Sequence, residues 1–423
     1  MTETTPLSDP PPTPGPRRLG GRFWTVWTSS GLSNLADGIL KVALPLVALR
    51  FTDSPTLIAG VVFALTIPWL LLSLPAGALA DRYDRRRLMV GANLARGLLL
   101  AGLAAALALD LGSVWLLYAV ALGVGTAETV HDTSAQSILP QVVGRDQLSR
   151  ANGRLHAVEL TAHQFAGPPL GGILVALGLA AAFTAPAALW LVAAGTLVLV
   201  RGRFRTERAA APTTMRTDIA EGLRFLWRHR TLRTLAAMVG LSNFSTNAAF
   251  TVMVLFAVGP ASPMGLSEPA YGLLLTATAA GSVLGALTAE HVERLLGRAW
   301  SLRVSALAFA VLVGIPALTA DPLAVGAGFF VGGVGLSVWN VVTVSLRQRV
   351  TPDHLLGRLN SAYRLLAWGT LPLGAAAGGL IAQFFGLTAV FAGMGALALV
   401  LFLWQFTLSE TDLGGAGRAT AAT

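Results

Sequence analysis

Between Leu57 and Ala80 the chain carries no charge, and the next seven residues, Asp81-Arg82-Tyr83-Asp84-Arg85-Arg86-Arg87, carry six. Apolar sequence resumes at Leu88. A run of that length fits a helix that crosses lipid, which takes about 20 mainly apolar residues, and the charged string then reads as a short hairpin in water. The pattern repeats along the chain. Twelve spans are expected, at 23–49, 56–80, 88–109, 113–138, 151–176, 182–200, 233–258, 268–290, 300–319, 322–346, 356–382 and 387–408. Within lipid the backbone must satisfy its own N–H and C=O groups, so these spans are helices. The expected fold class is therefore an all-α polytopic membrane protein. Composition agrees, since 12% charged residues against 54% hydrophobic is about half the charge of a soluble domain. Pro45, Pro68, Pro75, Pro168, Pro316 and Pro372 fall inside spans, which neighbouring helices make tolerable in a membrane bundle.

Arginine placement sets the orientation. Of the 30 Lys and Arg residues, all but Lys41, Arg50 and Arg96 lie in the tails, the even-numbered connectors or the adjoining helix ends. The positive-inside rule then puts both termini in the cytoplasm, as an even number of spans requires. The net charge of +9 forms no basic face with interleaved aromatics, so nucleic acid is not an expected partner. Cysteine is absent, which excludes disulfides and thiolate metal sites. Residues 1–21 read as a disordered cytoplasmic tail and 409–423 as a second one. The longest connector, 203–232, contains Thr217 to Arg228, where Ile219, Leu223, Leu226 and Trp227 share one face between arginines. That piece is expected to lie on the inner membrane surface.

The chain is also a repeat. Ser33-Asn34 returns as Ser242-Asn243, Gly77-Ala78-Leu79 as Gly285-Ala286-Leu287, Leu148/Arg150/Asn152 as Leu356/Arg358/Asn360, and Gly178-Leu179 as Gly386-Leu387, at offsets of 208 or 209. Two parallel six-helix halves, 22–202 and 233–408, follow, an arrangement used by secondary transporters.

These residues resemble the major facilitator superfamily. The hairpin matches its G-x-L-A-D-R-x-x-R-R pattern at Gly77, Leu79, Ala80, Asp81, Arg82, Arg85 and Arg86. Span 5 carries Gly167-Pro168-Pro169-Leu170-Gly171-Gly172, similar to the signature of the family's antiporters, although His163 stands where that pattern opens with glycine. No arginine occurs from Leu116 to Thr129, where many drug antiporters have one. The connector 218–235 and the turn 148–152 are similar to the subgroup of enterobactin exporters and macrolide efflux proteins. The resemblance implies a multi-pass protein of the cell (inner) membrane, acting as a monomer, with a small-molecule substrate, lipid as its surroundings and no cofactor beyond a proton gradient. It also implies a gate, in which Asp81 meets the start of span 11 near Arg358 and favours the outward-open state. Arg85 to Arg87 would then be orientation signals and lipid contacts.

Ionisable residues inside spans are costly, roughly 2.5–3.5 kcal/mol each at a helix centre, and mark function by default. Asp37 and Lys41 in span 1, Glu128 and Asp132 in span 4, and Glu159 and His163 in span 5 are each spaced i,i+4. The resemblance places these three spans around a central cavity, so their carboxylates are the candidates for proton coupling. Desolvation and like-charge neighbours favour the protonated acid. Static pairing of Asp37 with Lys41 and of Glu159 with His163 is the competing account. The second half offers Asn243, Asn247, Asn340 and Arg364, with Trp339 and Trp368 as stacking surfaces and Asn34 as their counterpart in the first half. Export of a small, largely apolar compound (a drug, macrolide, siderophore or secondary metabolite) against protons is the leading expectation. Import of a polar nutrient with protons is the alternative, and a transport-inactive receptor or scaffold stands for another class. No Walker pattern, activated nucleophile or credible metal set appears. Glu290-His291-x-Glu293 sits among arginines, and an enzyme is not expected.

Overall fold

The computed structural model describes residues 19–144, 147–200, 202, 204, 215–259, 261–351, 359, 363 and 365–408, without the side chains of 74, 81, 136, 137, 149, 215–220 and 222. Within them, ten helices are long and apolar enough to cross a membrane. One of the ten, Glu268–Gly314, is broken at Gly297, whose φ of 76° is not helical, and supplies spans 8 and 9 together. Span 5 is too irregular to count among the ten. It runs as an α-helix Leu148–Glu159, a π-helical turn Leu160–Ala166 and a second α-helix Gly167–Leu177. Ten, plus these two, gives the twelve expected passes.

Local chemistry fixes the helix ends. Asp84 accepts from Arg87 N–H at 3.2 Å and starts span 3, Ser113 accepts from Leu116 N–H at 3.2 Å and starts span 4, and Asp321 accepts from Leu323 N–H at 3.0 Å and starts span 10. Side-chain oxygens of this kind satisfy N–H groups that a helix leaves open. Gly178 and Gly386 are partners in the sequence repeat, and both adopt positive φ, 136° and 87°. Each reverses the chain between the last two spans of its half, where a residue with Cβ would be strained. The duplication is thus visible in backbone angles as well as in sequence.

Small residues let the helices touch backbone to backbone. A Cβ on Gly125 of span 4 would strike the Leu65 carbonyl of span 2, and one on Gly333, its repeat partner in span 10, would strike the Thr278 carbonyl of span 8. Gly374 and Gly378 seat span 11 on the Phe244 and Ala248 carbonyls of span 7 in the same way. The linker helix Met215–Arg228 buries Leu226 against Leu232, Ala236 and Leu359, while Trp227 faces outward. The hairpin 82–87 and this linker share one end of the bundle, called here the basic end. Connectors 49–54, 109–113 and 258–267 mark the far end.

Candidate functional site

Span 3 contributes a guanidinium to the middle of the first half. Arg96 is fully buried and Nη1 donates to Asp37 Oδ1 at 2.8 Å. Its Nη2 donates to Ser33 Oγ at 2.9 Å and to Asn93 Oδ1, and its plane lies 4.7 Å from the Trp190 ring of span 6. Spans 1, 3 and 6 therefore meet on one cation. The Asp37–Lys41 pair of the competing account is not formed, and Asp37 pairs with Arg96 instead. The forked guanidinium can bond Asp37, Ser33 and Asn93 together, whereas Lys41 forms no ion pair among the described residues. Arg96, Asn93 and Trp190 were missed as site residues. A lone arginine in an apolar span already demands a carboxylate partner, and Asn93 at i−3 on the same face was the signal for where it points.

Spans 4 and 5 carry the remaining charges. Glu128 lies within Coulombic range of Asp37, Asp132, Arg96 and Lys41. Asp132 meets His131 Nδ1 at 3.0 Å, a contact between sequence neighbours that the i,i+4 spacing did not suggest. His131 itself is buried. The Glu159–His163 pair of the competing account is not formed. Glu159 faces His156 at 3.7 Å instead, with both side chains exposed. Pro168 and Pro169 lack N–H groups, and the turn before them widens so that Gly167 N–H reaches back five residues to Ala162 O. That π register carries position 163 out of line with 159. His163 stays near Asp132 and Lys41, and Glu159 remains in range of Asp37. Lys41 is exposed, Asp132 is 38% exposed and Asp37 15%. Charged groups that lie inside a bundle and yet reach solvent line an open central space.

The second half is different in kind. Asn243 Nδ2 donates to Ala367 O at 2.7 Å and Asn247 Nδ2 to Leu371 O, stitching span 7 to span 11 beside Pro372. One N–H of each of these amides, expected to meet substrate, is engaged by the fold, and the second N–H and Oδ1 of each have no hydrogen-bond partner among the described residues. Asn34 likewise donates to Ser30 O at 2.9 Å. Asn340 is exposed and Trp339 half-buried on the same turn of span 10. Trp368 packs edge-on against Trp69 of span 2 at 4.3 Å, so it forms part of the seam between the halves. Arg364 and Arg358 lie outside the described residues. Span 10 presents Arg347 over the Tyr363 ring at 4.3 Å.

The hairpin motif acts within its own half. Arg85 is nearly buried and donates Nε to Ala80 O at 3.3 Å and its backbone N–H to Phe204 O at 3.1 Å. Arg86 Nη1 donates to Val200 O, and Asp84 Oδ2 accepts from Phe204 N–H at 3.0 Å. Arg85 and Arg86, expected as lipid contacts, thus clamp the exit of span 6. They do so because span 6 ends with unpaired carbonyls beside the hairpin. Arg82 is exposed and Gly77 buried. The Asp81 side chain, and the start of span 11 that it was expected to meet, lie outside the described residues.

The antiporter-like motif forms a double contact. Gly167 rests on Gly38 of span 1, where an added Cβ would come within 2.6 Å of Cα, and Gly171 rests on Ile39 O. A Cβ on Gly172 would strike the Glu268 carbonyl of span 8, and one on Gly272 would strike the carbonyl of Pro168. The halves are also joined at the far end by Arg50–Glu268 at 3.5 Å and by Ser54 and Thr56, which both donate to Gln383 Oε1 at 3.1 and 3.4 Å.

A family model described as transmembrane secretion effector matches residues 18–416. The chain belongs to that family, within the major facilitator superfamily. Among curated relatives, it is 29% identical over 381 residues to the multidrug efflux pump Tap of Mycolicibacterium fortuitum, covering 86% of this chain and 90% of that one. It is 27% identical over 351 residues to the enterobactin exporter EntS of Salmonella typhi, covering 81% of each. Among solved structures, a bacterial homologue of the iron transporter ferroportin in its inward-facing state superposes with a TM-score of 0.70 at 17% identity, over 93% of this chain and all of that one. The twelve-helix, two-half fold expected from sequence is thus the fold of a membrane transporter family.

Proposed function

We propose that this chain is a proton-coupled exporter of a small, largely apolar compound, working by alternating access between its two halves. The observation that carries the reading is the buried Asp37–Arg96 pair with Glu128 and Asp132 in range of it, all in one half and beside solvent. Carboxylates placed so are expensive unless they work. The similarity to Tap and EntS supports outward transport and suggests drug-like or siderophore-like cargo.

With the basic end in the cytoplasm of a cell-membrane protein, the far end is extracellular. Gly172, Gly272, Arg50 and Gln383 then form an outer seal, and the central space opens inward, ready to load cargo. Rocking of the halves about the Trp69–Trp368 seam would open the outer side. Gradient-driven uptake into inverted membrane vesicles tests the reading. A panel spanning lipophilic cations, macrolides and catecholate siderophores should yield at least one compound that accumulates with acid inside and stops when the gradient is collapsed. No gradient-dependent flux for any of them would overturn it.

A further inference from the structure

We propose that the edge between spans 9 and 12 at the basic end is a binding site for an anionic phospholipid, whose phosphate is held by Arg303. This inference is independent of what the chain transports. Arg303 falls one turn into span 9, in otherwise apolar sequence. Its guanidinium carbon lies 4.9 Å from the centre of the Trp300 ring and 4.4 Å from that of Phe406, in the turn that closes span 12. Nη2 donates to Leu408 O at 3.4 Å, and Nε is shielded without an acceptor. No carboxylate pairs with Arg303 among the described residues. Glu293 of the preceding connector is taken by Arg298 at 2.9 Å, and Glu290 and Arg294 are both exposed there. That connector set is neutral, which leaves Arg303 as the uncompensated cation.

A cation inside a membrane span is costly unless something answers its charge, and aromatic faces answer only part of it. The surroundings indicate which anion completes the set. Trp300 and Phe406 are about half exposed, and deeper along the same two helices Val304, Leu307 and Leu403 are exposed as well. On span 9, positions 300, 303, 304 and 307 follow the spacing of one helix face. The guanidinium therefore sits near headgroup depth with an apolar track beneath it, on the outer surface of the bundle and not in its central space. Phosphate above and acyl chain below is the form of a phospholipid. A planar guanidinium matches two phosphate oxygens, and rings that already hold it in place reduce the ordering needed on binding. A zwitterionic headgroup would bring its own cation toward Arg303, whereas an anionic one supplies net negative charge.

The test measures lipid retention by the purified full chain in detergent, using native mass spectrometry with phosphatidylglycerol, phosphatidylcholine and inorganic phosphate as probes. Wild-type protein should retain phosphatidylglycerol in preference to phosphatidylcholine. Arg303→Gln should weaken that retention by about fivefold or more, the loss expected for one cation near an anionic lipid surface. Arg303→Lys, which keeps the charge should the first variant fail to fold, should weaken it too, because an ammonium lacks the planar fork. Equal retention by wild type and either variant, or no preference for the anionic lipid in wild type, would overturn the proposal. Displacement of the lipid by millimolar inorganic phosphate would make this a site for free phosphate and overturn the lipid assignment. The chain after Leu408 lies outside the described residues and carries Glu410 and Asp412. Retention that appears only when Glu410→Gln and Asp412→Asn are combined would name that tail as the occupant and overturn the proposal as well.

Discussion

Asp37 and Arg96 depend on each other, because each is a charge that lipid-buried protein tolerates only when paired. Asp37→Asn leaves the guanidinium with two neutral acceptors, Ser33 and Asn93, and should lower stability in detergent by about 3–5 kcal/mol, the usual cost of breaking a buried pair from one side. The double variant Asp37→Leu with Arg96→Met should recover most of that loss in thermal unfolding while gradient-driven flux stays absent. Full flux in the stable double variant would make the pair purely architectural. At the basic end, His229 Nδ1 accepts from Leu232 N–H at 3.4 Å and so caps span 7 in its neutral form. Partial burial holds its imidazole below the ordinary histidine range. The folded state thus binds protons less readily than the unfolded one. The cap's contribution is complete above the unfolded value of about 6.5 and is lost as pH falls through and below it. Hydrogen exchange of the 230–233 amides, corrected for intrinsic rates, should show protection at pH 8 that is reduced at pH 5.5, and unchanged protection would refute the cap.

At the scale of the helix, glycine decides what can close. Gly172→Val puts branched carbon against the Glu268 carbonyl and should push the halves apart at the far end. The chain has no cysteine, so labels can be placed at will. A cysteine pair at Asp53 and Ser262, carrying spin labels, should show a longer distance population in Gly172→Val than in the parent, and an unchanged distribution would remove Gly172 from the seal. Asp84→Ala loses both the cap on span 3 and the tether to Phe204. It should cost about 1 kcal/mol for the cap, read as a lower melting temperature. Element positions were legible in sequence because twelve apolar runs and their arginine borders are a strong one-dimensional signal. Two irregularities were not. Periodicity treats span 5 as a uniform helix, so it put Glu159 and His163 on one face, although Pro168-Pro169 was a warning that the preceding turn must adjust. Spans 8 and 9 were expected at 268–290 and 300–319, whereas helix runs through Glu268–Gly314 with one break at Gly297, which only the backbone angle reveals.

For the whole molecule, the repeat predicts the pairing of like spans but not the division of labour. The first half spends its polar groups on a charge cluster around Asp37, Arg96 and Glu128, whereas the second spends Asn243 and Asn247 on holding span 11. Sequence showed that asymmetry as a count of charges. It could not show partners, because side chains from spans 1, 3, 4 and 6 come together only when the helices pack. The Asp81 clasp lies outside the described residues. Exchange of protons against cargo is the claim on which the rest turns. Purified protein in liposomes loaded with a transported compound and a trapped pH dye measures it directly. With an outward compound gradient imposed and the membrane potential clamped, protons should move inward as the compound leaves. Compound efflux with no proton movement, or with protons leaving alongside it, would contradict the account.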